Sequence, residues 1–258
     1  MSLKKLMDLS GRVAIVTGAS RGLGLQVAEA LGEMGAALAI TARKAGELEE
    51  ARTHLAGLGY EVLAIPADHG KPETGRQVTD AVMQKHGKID ILVNNAGATW
   101  GAKAEDHPLE AWQKLVNVNL TGNFLLCQAV ARASMIPRKY GRIVNMASVA
   151  GLGANPPQME GTLAYNTTKG GLVNFTRALA AEWGKYNITV NAICPGFFPS
   201  KLARATIAAH GDFFIEMTPL KKLGGPEDLK GAAVLFASDA GGHISGQCLA
   251  IDGGAIVV

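Results

Sequence analysis

The sequence predicts an α/β fold in which helices cover both faces of a seven-stranded parallel sheet. Short apolar runs alternate with longer segments of helical periodicity, which is typical of parallel strands joined by crossover helices. Most of these runs are continuously apolar, and this indicates strands buried on both faces. The predicted strands are residues 13–17, 37–41, 62–65, 89–94, 142–148, 188–193 and 247–251. No linker-like composition divides the 258 residues, so we expect one domain spanning residues 1–258.

Two helices can be placed from their residue patterns. In the helix after the first strand, apolar residues recur every three or four positions, at Leu23, Val27, Leu31 and Met34. The segment Gly225-Pro226-Glu227-Asp228 predicts the start of the last helix, because proline suits a first turn and the helix dipole favours acids there. In parallel sheets ligands bind beyond the carboxyl ends of the strands, so residues just after each strand are functional candidates.

Composition and charge argue against several classes of protein. The formal net charge is +3, and the basic residues are dispersed, which does not favour nucleic-acid binding. Cys127, Cys194 and Cys248 form no CxxC pair, so we expect neither a disulfide framework nor a metal site, as in a reducing cytoplasm. No apolar run approaches the ~18 residues of a membrane span, and no apolar stretch follows the first lysines, so we expect neither membrane contact nor a signal peptide.

A glycine-rich loop follows the first predicted strand and leads directly into a helix. Its glycines would let the backbone approach a pyrophosphate, which the N–H groups and dipole of the helix N-terminus attract. The spacing departs from the strict G-x-G-x-x-G pattern, but a strand before it and a helix after it favour a dinucleotide site over a plain turn. The candidate cofactor-binding residues of this loop are Gly18, Ser20, Arg21, Gly22, Leu23 and Gly24.

The residues after the second predicted strand favour NADP(H) over NAD(H). An acid at the end of this strand would hold the ribose 2′-hydroxyl and repel a 2′-phosphate, yet no acid occurs here before Glu47. Arg43 and Lys44 occupy this region instead, and Arg21 in the glycine loop adds another cation. Alternatively, Arg43 and Lys44 simply begin a solvated helix, and NAD(H) therefore stays the second candidate.

Tyr165 and Lys169 are four residues apart in a predicted helix and would share one face of it. A free tyrosine has a pKa near ~10. A neighbouring ammonium group favours the phenolate and so makes the phenol useful as an acid or base. Ser148 ends the fifth predicted strand. Each of these residues also has a plain interpretation, as an exposed helix pair or a turn residue, and only the ordered set of motifs favours catalysis.

With these motifs in order, the chain resembles the short-chain dehydrogenase/reductase family from about Leu9 to Gly254. The matching motifs are the glycine loop, Asn94-Asn95-Ala96-Gly97, Asn119 in Asn117-Val118-Asn119-Leu120, Ser148 with Tyr165 and Lys169, Pro195-Gly196, and the ending Gly246…Asp252-Gly253-Gly254. The resemblance implies a Rossmann fold and an enzyme that interconverts a carbonyl and an alcohol with NAD(P).

The resemblance also implies a role for each matching residue. Tyr165 would be the general acid in reduction and the base in oxidation, while Ser148 would stabilise the charge that develops on the substrate oxygen. Lys169 would lower the pKa of Tyr165 and bind the nicotinamide ribose, and Asn119 would hold a water that links Lys169 to solvent. Besides Tyr165, Lys169 and Arg43, the cofactor would meet Asp68, Asn95, Ala96, Gly97, Pro195, Gly196, Phe198 and Ser200.

Two segments bear on the substrate, and the sequence leaves the substrate open. Residues 150–164 are a few residues longer than is usual in the family, on the substrate side of the site. Residues 197–225 would form a lid, whose apolar side chains favour a hydrophobic ketone such as a 3-oxoacyl compound, with Trp100 as a further wall. A sugar-acid dehydrogenase of the gluconate type is the alternative, and cations of the lid could receive such an acid. A non-catalytic NADP sensor would typically lack the tyrosine or lysine, and an epimerase or lyase would carry a further domain.

Apolar residues on more than one face of two helices predict a symmetric homo-oligomer, and the resemblance to the family implies that it is a homotetramer. The helix of about residues 109–138 and the helix after Tyr165 carry more apolar residues than one buried face requires. Large apolar patches rarely stay in water, and closed symmetric assemblies are the usual result. The resemblance implies one twofold axis at these helices and a second at the apolar ending, residues 250–258. Alternatively, the additional apolar residues of the two helices belong to the core of the subunit, and residues 250–258 fold back on their own subunit.

Overall fold

A computed structural model describes residues 1–156, 159 and 161–258 of the chain. Seven parallel strands form one sheet in the order β3-β2-β1-β4-β5-β6-β7. They are β1 (Val13–Thr17), β2 (Ala37–Ala42), β3 (Val62–Pro66), β4 (Ile91–Asn94), β5 (Gly141–Met146), β6 (Ile188–Pro195) and β7 (Cys248–Ile251). The predicted seven-stranded parallel sheet is thus confirmed. The strand order reverses between β1 and β4, which places the ligand cleft beyond the carboxyl ends of these strands.

Helices cover both faces of the sheet, as predicted. They are α1 (Leu3–Met7), α2 (Gly22–Glu33), α3 (Ala45–Gly57), α4 (Thr74–His86), α5 (Leu109–Val116), α6 (Gly122–Val130), α7 (Ile136–Arg138), α8 (Leu163–Trp183), α9 (Arg204–Met217) and α10 (Lys230–Ala237). Residues of α2, α3 and α10 pack in one core cluster with Val16 of β1. Residues of α4, α6 and α8 pack in a second cluster with Ile15, because successive side chains of a strand point to opposite faces.

The helical segment predicted over residues 109–138 contains two wide turns. Helices α5, α6 and α7 follow one another through π-helical turns at Asn117–Thr121 and Ala131–Met135. Such turns occur frequently at functional sites. The first π-helical turn carries Asn119, whose side chain contacts the loop that follows the carboxyl end of β4.

The start predicted for the last helix at Gly225 to Asp228 is wrong. Residues 226–229 form a turn, and α10 begins only at Lys230. The carboxylate of Asp228 accepts a hydrogen bond of 2.8 Å from the backbone N–H of Gly225 and pairs with Lys222 at 3.2 Å. The acid therefore closes its own turn rather than stabilising a helix N-terminus.

Three further observations concern the described part of the chain. No helix there is long and apolar enough to cross a membrane. No group of three or more His, Cys, Asp or Glu side chains among these residues could hold a metal ion. Cys127, Cys194 and Cys248 are all free thiols.

Candidate active site

Ser148, Tyr165 and Lys169 lie together beyond the carboxyl end of β5. Ser148 is buried, and its hydroxyl accepts a 3.1 Å hydrogen bond from the backbone N–H of Ala150. This leaves the hydroxyl proton available to another group. Tyr165 and Lys169 occupy successive turns of α8, with the Lys169 ammonium 5.6 Å from the centre of the Tyr165 ring. A hydroxyl, a phenol and an ammonium group therefore share one small site.

The Lys169 ammonium is buried without an acidic partner among the described residues. It donates a 2.6 Å hydrogen bond to the carbonyl oxygen of Met146, the last residue of β5. Burial lowers the pKa of Lys169 to about 8, and the neighbouring Cys194 thiol acts in the opposite direction. Because an ammonium group has three N–H donors, Lys169 keeps donors for a further ligand.

Tyr165 is held in its protonated form in the chain alone. Burial raises the pKa of Tyr165 above its usual value, the hydrogen bond with Ser148 lowers it in part, and the Cys194 thiol raises it. Protonated phenol is the form that a general acid requires. Cys194, fully buried in β6, is a neighbour of the site that sequence reasoning missed, although its position just before Pro195 was a usable signal.

Asn119 fastens the π-helical turn to the loop after β4. Its side chain accepts a 2.8 Å hydrogen bond from the N–H of Ala98 and donates one of 2.9 Å to the carbonyl oxygen of the same residue. It also donates to the Thr168 hydroxyl at 3.0 Å. A Cβ placed on Gly97 would lie 3.4 Å from the Asn119 side-chain oxygen and 3.7 Å from the Lys169 nitrogen. Asn119, Gly97 and Lys169 are therefore immediate neighbours.

The glycine loop packs against the loop after β4, and this contact leaves no room for side chains. A Cβ placed on Gly18 would lie 2.9 Å from the Cα of Ala96, and one on Gly24 would lie 2.4 Å from the amide nitrogen of Asn95. The Asn95 amide donates to the carbonyl oxygens of Thr17 at 2.8 Å and Gly18 at 3.1 Å. Asn95 thus ties the loop after β4 to the end of β1, which is a structural role in addition to the predicted contact with the nucleotide.

Gly22, at the start of α2, is much less crowded. Its φ is +57°, and a Cβ placed there would come within 4 Å only of the Ser200 Cβ, at 3.8 Å. The N-terminus of a helix attracts a pyrophosphate through its unpaired N–H groups and its dipole. The space before Gly22 therefore suits the pyrophosphate of a dinucleotide, and the free donors of Lys169 beside Gly97 suit the hydroxyl groups of one of its riboses.

Cations from three parts of the chain gather beside the glycine loop. Arg21 forms a close ion pair with Glu47, and Lys44 and Lys201 lie 3.1 and 3.9 Å from the same carboxylate. Arg43 is exposed and has no ion-pair partner in the described part of the chain. Sequence reasoning noted Glu47 only as the first acid after the second strand and did not predict these ion pairs. The spacing of three residues between Lys44 and Glu47 was a signal for one of them.

The loop after β3 holds a buried histidine that sequence reasoning missed. Asp68 accepts a 3.0 Å hydrogen bond from the N–H of Gly70, which closes a tight turn. His69 follows it with only 5% of its surface exposed, and its Nε2 lies 2.8 Å from the Thr41 hydroxyl at the end of β2. Burial lowers the pKa of His69 to about 4, against an opposing effect of Asp68. The imidazole is therefore neutral at neutral pH.

The segment after β6 begins with two phenylalanines in different surroundings. The Phe198 side chain is buried in the core, and a Cβ placed on Gly224 would lie 2.4 Å from its ring. Only the main chain of Phe198 is thus left to meet a cofactor. Phe197 stacks on Phe214 of α9 with ring centroids 3.6 Å apart. Ser200 lies near Gly22, as stated above.

The segment between Ser148 and Tyr165 is tied to α8 by a ring of polar side chains. Asn155 donates to the Thr162 hydroxyl at 2.8 Å, Thr162 donates to Asn166 at 2.7 Å, and Asn166 donates back to Asn155 at 3.2 Å. Thr162 also forms a parallel bridge with Ala102, in the stretch that follows β4. The longer stretch of residues 150–164 includes residues 157, 158 and 160, which lie outside the described residues.

Comparison with known proteins identifies the family. Residues 12–210 match the family model described as short chain dehydrogenase. The chain is 36% identical to gluconate 5-dehydrogenase of Gluconobacter oxydans, over 100% of this chain and 99% of that protein. It is 36% identical to the rhamnolipids biosynthesis 3-oxoacyl-[acyl-carrier-protein] reductase of Pseudomonas aeruginosa, over 96% and 97% of the two chains. The crystal structure of a gluconate 5-dehydrogenase from Burkholderia cenocepacia in complex with NADP and tartrate is 35% identical, with a TM-score of 0.93 over 100% of both chains.

Proposed function

This chain belongs to the short chain dehydrogenase family of oxidoreductases, and we propose that it transfers a hydride between NADP(H) and a carbonyl/alcohol pair. The observation that carries the proposal is the grouping of Ser148, Tyr165 and Lys169 beside the open N-terminus of α2. A bound nicotinamide cofactor would supply the hydride to the carbonyl carbon in reduction and accept it in oxidation.

The side chains would handle the substrate oxygen and its proton. In reduction Tyr165 donates its proton to this oxygen, and the Ser148 hydroxyl, which faces Tyr165, turns its proton to the substrate oxygen and stabilises the negative charge that develops there. Lys169 then faces the phenolate that Tyr165 becomes, and its positive charge lowers the pKa of this phenol during turnover. Asn119, beside Lys169, would hold the water that connects the lysine to solvent.

We further propose NADP(H) rather than NAD(H) as the cofactor. The 2′-phosphate would lie among Arg21, Arg43 and Lys44, with Asp68 toward the adenine and Pro195 toward the carboxamide. The basic cluster beside the glycine loop supports this proposal, and the Burkholderia relative is named as an NADP complex. The remaining cofactor contacts that we propose are Gly18, Ser20, Gly22, Leu23, Gly24, Asn95, Ala96, Gly97, Tyr165, Lys169, Gly196, the main chain of Phe198, and Ser200.

The cofactor proposal is tested with Arg43→Asp. We expect kcat/KM for NADPH to exceed that for NADH in the wild type, and the variant to lose or invert this preference. Lys85→Asp is the matched control, because Lys85 is exposed in the last turn of α4, at the opposite edge of the sheet. A wild type that is already faster with NADH contradicts the proposal.

For the substrate we propose a hydrophobic ketone of the 3-oxoacyl type. The support is apolar surface near the site: Phe197 stacks on α9, and Trp100 is 43% exposed. Residues 197–225 would act as a lid over this substrate, within a single domain spanning residues 1–258. A sugar acid of the gluconate type stays the second candidate, because a gluconate 5-dehydrogenase is among the relatives.

A screen of NADPH consumption separates these substrates. We expect faster turnover of 3-oxoacyl thioesters than of keto-gluconates, aromatic aldehydes or diketones. Faster turnover of a sugar acid would favour the gluconate-type assignment instead. Tight NADPH binding without consumption across the whole screen would contradict the enzyme and favour a cofactor sensor.

We propose that the protein assembles as a homotetramer in the cytoplasm. A groove of about 420 Å³ runs between α6 and α8, lined by Leu120, Thr121, Phe124, Gly171, Asn174 and Phe175. The ending is not covered by its own subunit, since Val257 and Val258 are 79% and 81% exposed. Both surfaces support the two predicted interfaces, and the free thiols support a reducing compartment. Light scattering after gel filtration tests the assembly, and a mass near one 26.9 kDa chain would contradict it.

A further inference from the structure

Glu47 holds three cations that come from separate parts of the chain. Arg21 belongs to the glycine loop, Lys44 precedes α3, and Lys201 follows β6. The four side chains remain accessible, with exposed fractions of 30% for Glu47, 48% for Arg21, 66% for Lys44 and 54% for Lys201. A dissolved anion can therefore reach this cluster.

The other acids of α3 are arranged differently. Glu49 pairs with Arg52 of the same helix, at 2.6 Å. Glu50 is exposed and has no ion-pair partner among the described residues. Only Glu47, of these three acids, is turned toward the glycine loop, where the proposed function places the ribose 2′-phosphate. The inference below rests on that proposed function.

The charges within the cluster do not balance. One carboxylate faces three cations, and the exposed Arg43 stands next to Lys44 in the chain. The remaining positive charge attracts a 2′-phosphate, which carries up to two negative charges. If Arg21 and Lys44 bound both anions at once, the phosphate and the Glu47 carboxylate would be brought together, and like charges at that distance repel. A 2′-phosphate that uses these cations must therefore displace Glu47 or bind beside it at a cost.

We propose that Glu47 is an internal competitor of the cofactor's 2′-phosphate and that it lowers the selectivity for NADPH over NADH. It occupies Arg21 and Lys44 while the site is empty and is released when the phosphate binds. Its presence lowers the affinity for NADPH and leaves the affinity for NADH nearly unchanged, since NADH has no group to compete for these cations. Glu47 is a specificity-determining residue and takes no part in the hydride transfer.

Equilibrium binding of intact cofactors and of their adenosine halves tests the proposal. Dissociation constants for NADPH, NADH, 2′,5′-ADP and AMP are measured by calorimetry at fixed ionic strength for the wild type, Glu47→Gln and Glu50→Gln. Glutamine keeps the shape of the side chain and removes its charge. We expect Glu47→Gln to bind NADPH and 2′,5′-ADP about two- to fivefold more tightly, the range of an exposed ion pair. NADH and AMP should change less than twofold, and Glu50→Gln should change none of the four.

Three outcomes overturn the proposal. Weaker binding of 2′,5′-ADP by Glu47→Gln would mean that Glu47 orders the cations for the phosphate rather than competing with it. Equal tightening of 2′,5′-ADP and AMP, or no change in either, would mean that the carboxylate does not sense the 2′-phosphate. The cofactor preference is measured separately, on the wild type. If the wild type prefers NADH, the NADP(H) assignment is wrong. The role of Glu47 is still supported in that case if Glu47→Gln gains affinity for 2′,5′-ADP and not for AMP.

Discussion

A charged side chain is buried at each end of the parallel strands, and the two ends differ in whether this charge is paired. The amino-terminal and carboxyl ends of the strands are called the amino-terminal and the carboxyl edge of the sheet. At the amino-terminal edge Asp90 has no exposed surface and meets Arg138 at 2.6 Å, Arg12 at 3.7 Å and Lys88 at 3.8 Å. At the carboxyl edge Lys169 is 5% exposed, and among the described residues it has only the carbonyl oxygen of Met146. A buried charge is costly unless it is paired, so the unpaired one marks the place where stability has been exchanged for reactivity.

Two tyrosines repeat this contrast. Tyr140, at the amino-terminal edge, lies between the guanidinium groups of Arg12 and Arg142, at 4.0 and 4.4 Å from its ring, and donates to Asp239 at 3.0 Å. Burial raises the pKa of Tyr140 to about 12. Tyr165 has instead the Ser148 hydroxyl and a single charged neighbour, the Lys169 ammonium group at 5.6 Å from the centre of its ring. Several charged and hydrogen-bonding partners fix the protonation state of a side chain. When a side chain has few such partners, a bound ligand can change its protonation state.

The largest effect is expected from removing the phenolic oxygen at the carboxyl edge. Tyr165→Phe should lower kcat/KM by about 10³-fold or more, the upper part of the range for general acid–base catalysis. NADPH affinity should change less than twofold, because one oxygen and little packing is lost. Tyr140→Phe is the control and should keep the rate while lowering the melting temperature. Near-normal turnover by Tyr165→Phe would contradict the catalytic assignment.

Next in size is the loss of the buried charges themselves. Asp90→Asn leaves its cations without a counter-charge and should lower the free energy of unfolding by about 3 kcal/mol, with kcat retained at low temperature. Lys169→Met should do the reverse, abolishing turnover while leaving the protein as stable as the wild type, because it removes a buried charge that has no acidic partner. Urea unfolding monitored by circular dichroism measures both. Equal destabilisation by the two variants would remove the contrast between the edges.

The smallest effect concerns His69, which shows that a buried titratable group at the carboxyl edge is not always catalytic. Its pKa of about 4 in the folded chain lies below the ordinary value of ~6.5. Between these values the unfolded chain binds a proton that the folded chain does not. The stabilisation is therefore complete above pH ~6.5 and is lost as the pH falls toward 4; between pH 7 and pH 5 the loss is about 2 kcal/mol.

The test of this pH dependence compares two histidine variants. His69→Gln should flatten the fall in melting temperature between pH 7 and pH 5 without changing the catalytic pH profile. His243→Gln, at an exposed position, should leave the fall as it is in the wild type. A slope that is unchanged in His69→Gln would show that other groups cause the acid sensitivity.

Features that depend on local pattern could be predicted from the sequence. Continuous apolar runs gave the strands, and a spacing of four on a helix was enough to place Tyr165 and Lys169 on one face. What could not be predicted depends on contacts between distant segments. The wide turn at Asn119 is joined to Ala98, and the ion pairs of Glu47 need Arg21 and Lys201 to meet across the cleft. Likewise, Asp90 reads as an ordinary polar residue until the fold brings Arg138 to it.

The bridge between Ala102 and Thr162 bears on how enzymes of this kind can be recombined. The N–H of Ala102 donates a 3.0 Å hydrogen bond to the carbonyl oxygen of Gly161, so two stretches on opposite sides of Ser148 in the sequence are joined to each other. A chimera that took only one stretch from a relative would separate this donor from its acceptor. The two stretches thus form one structural unit. Chimeras designed to change the substrate range should therefore take both stretches from the same relative.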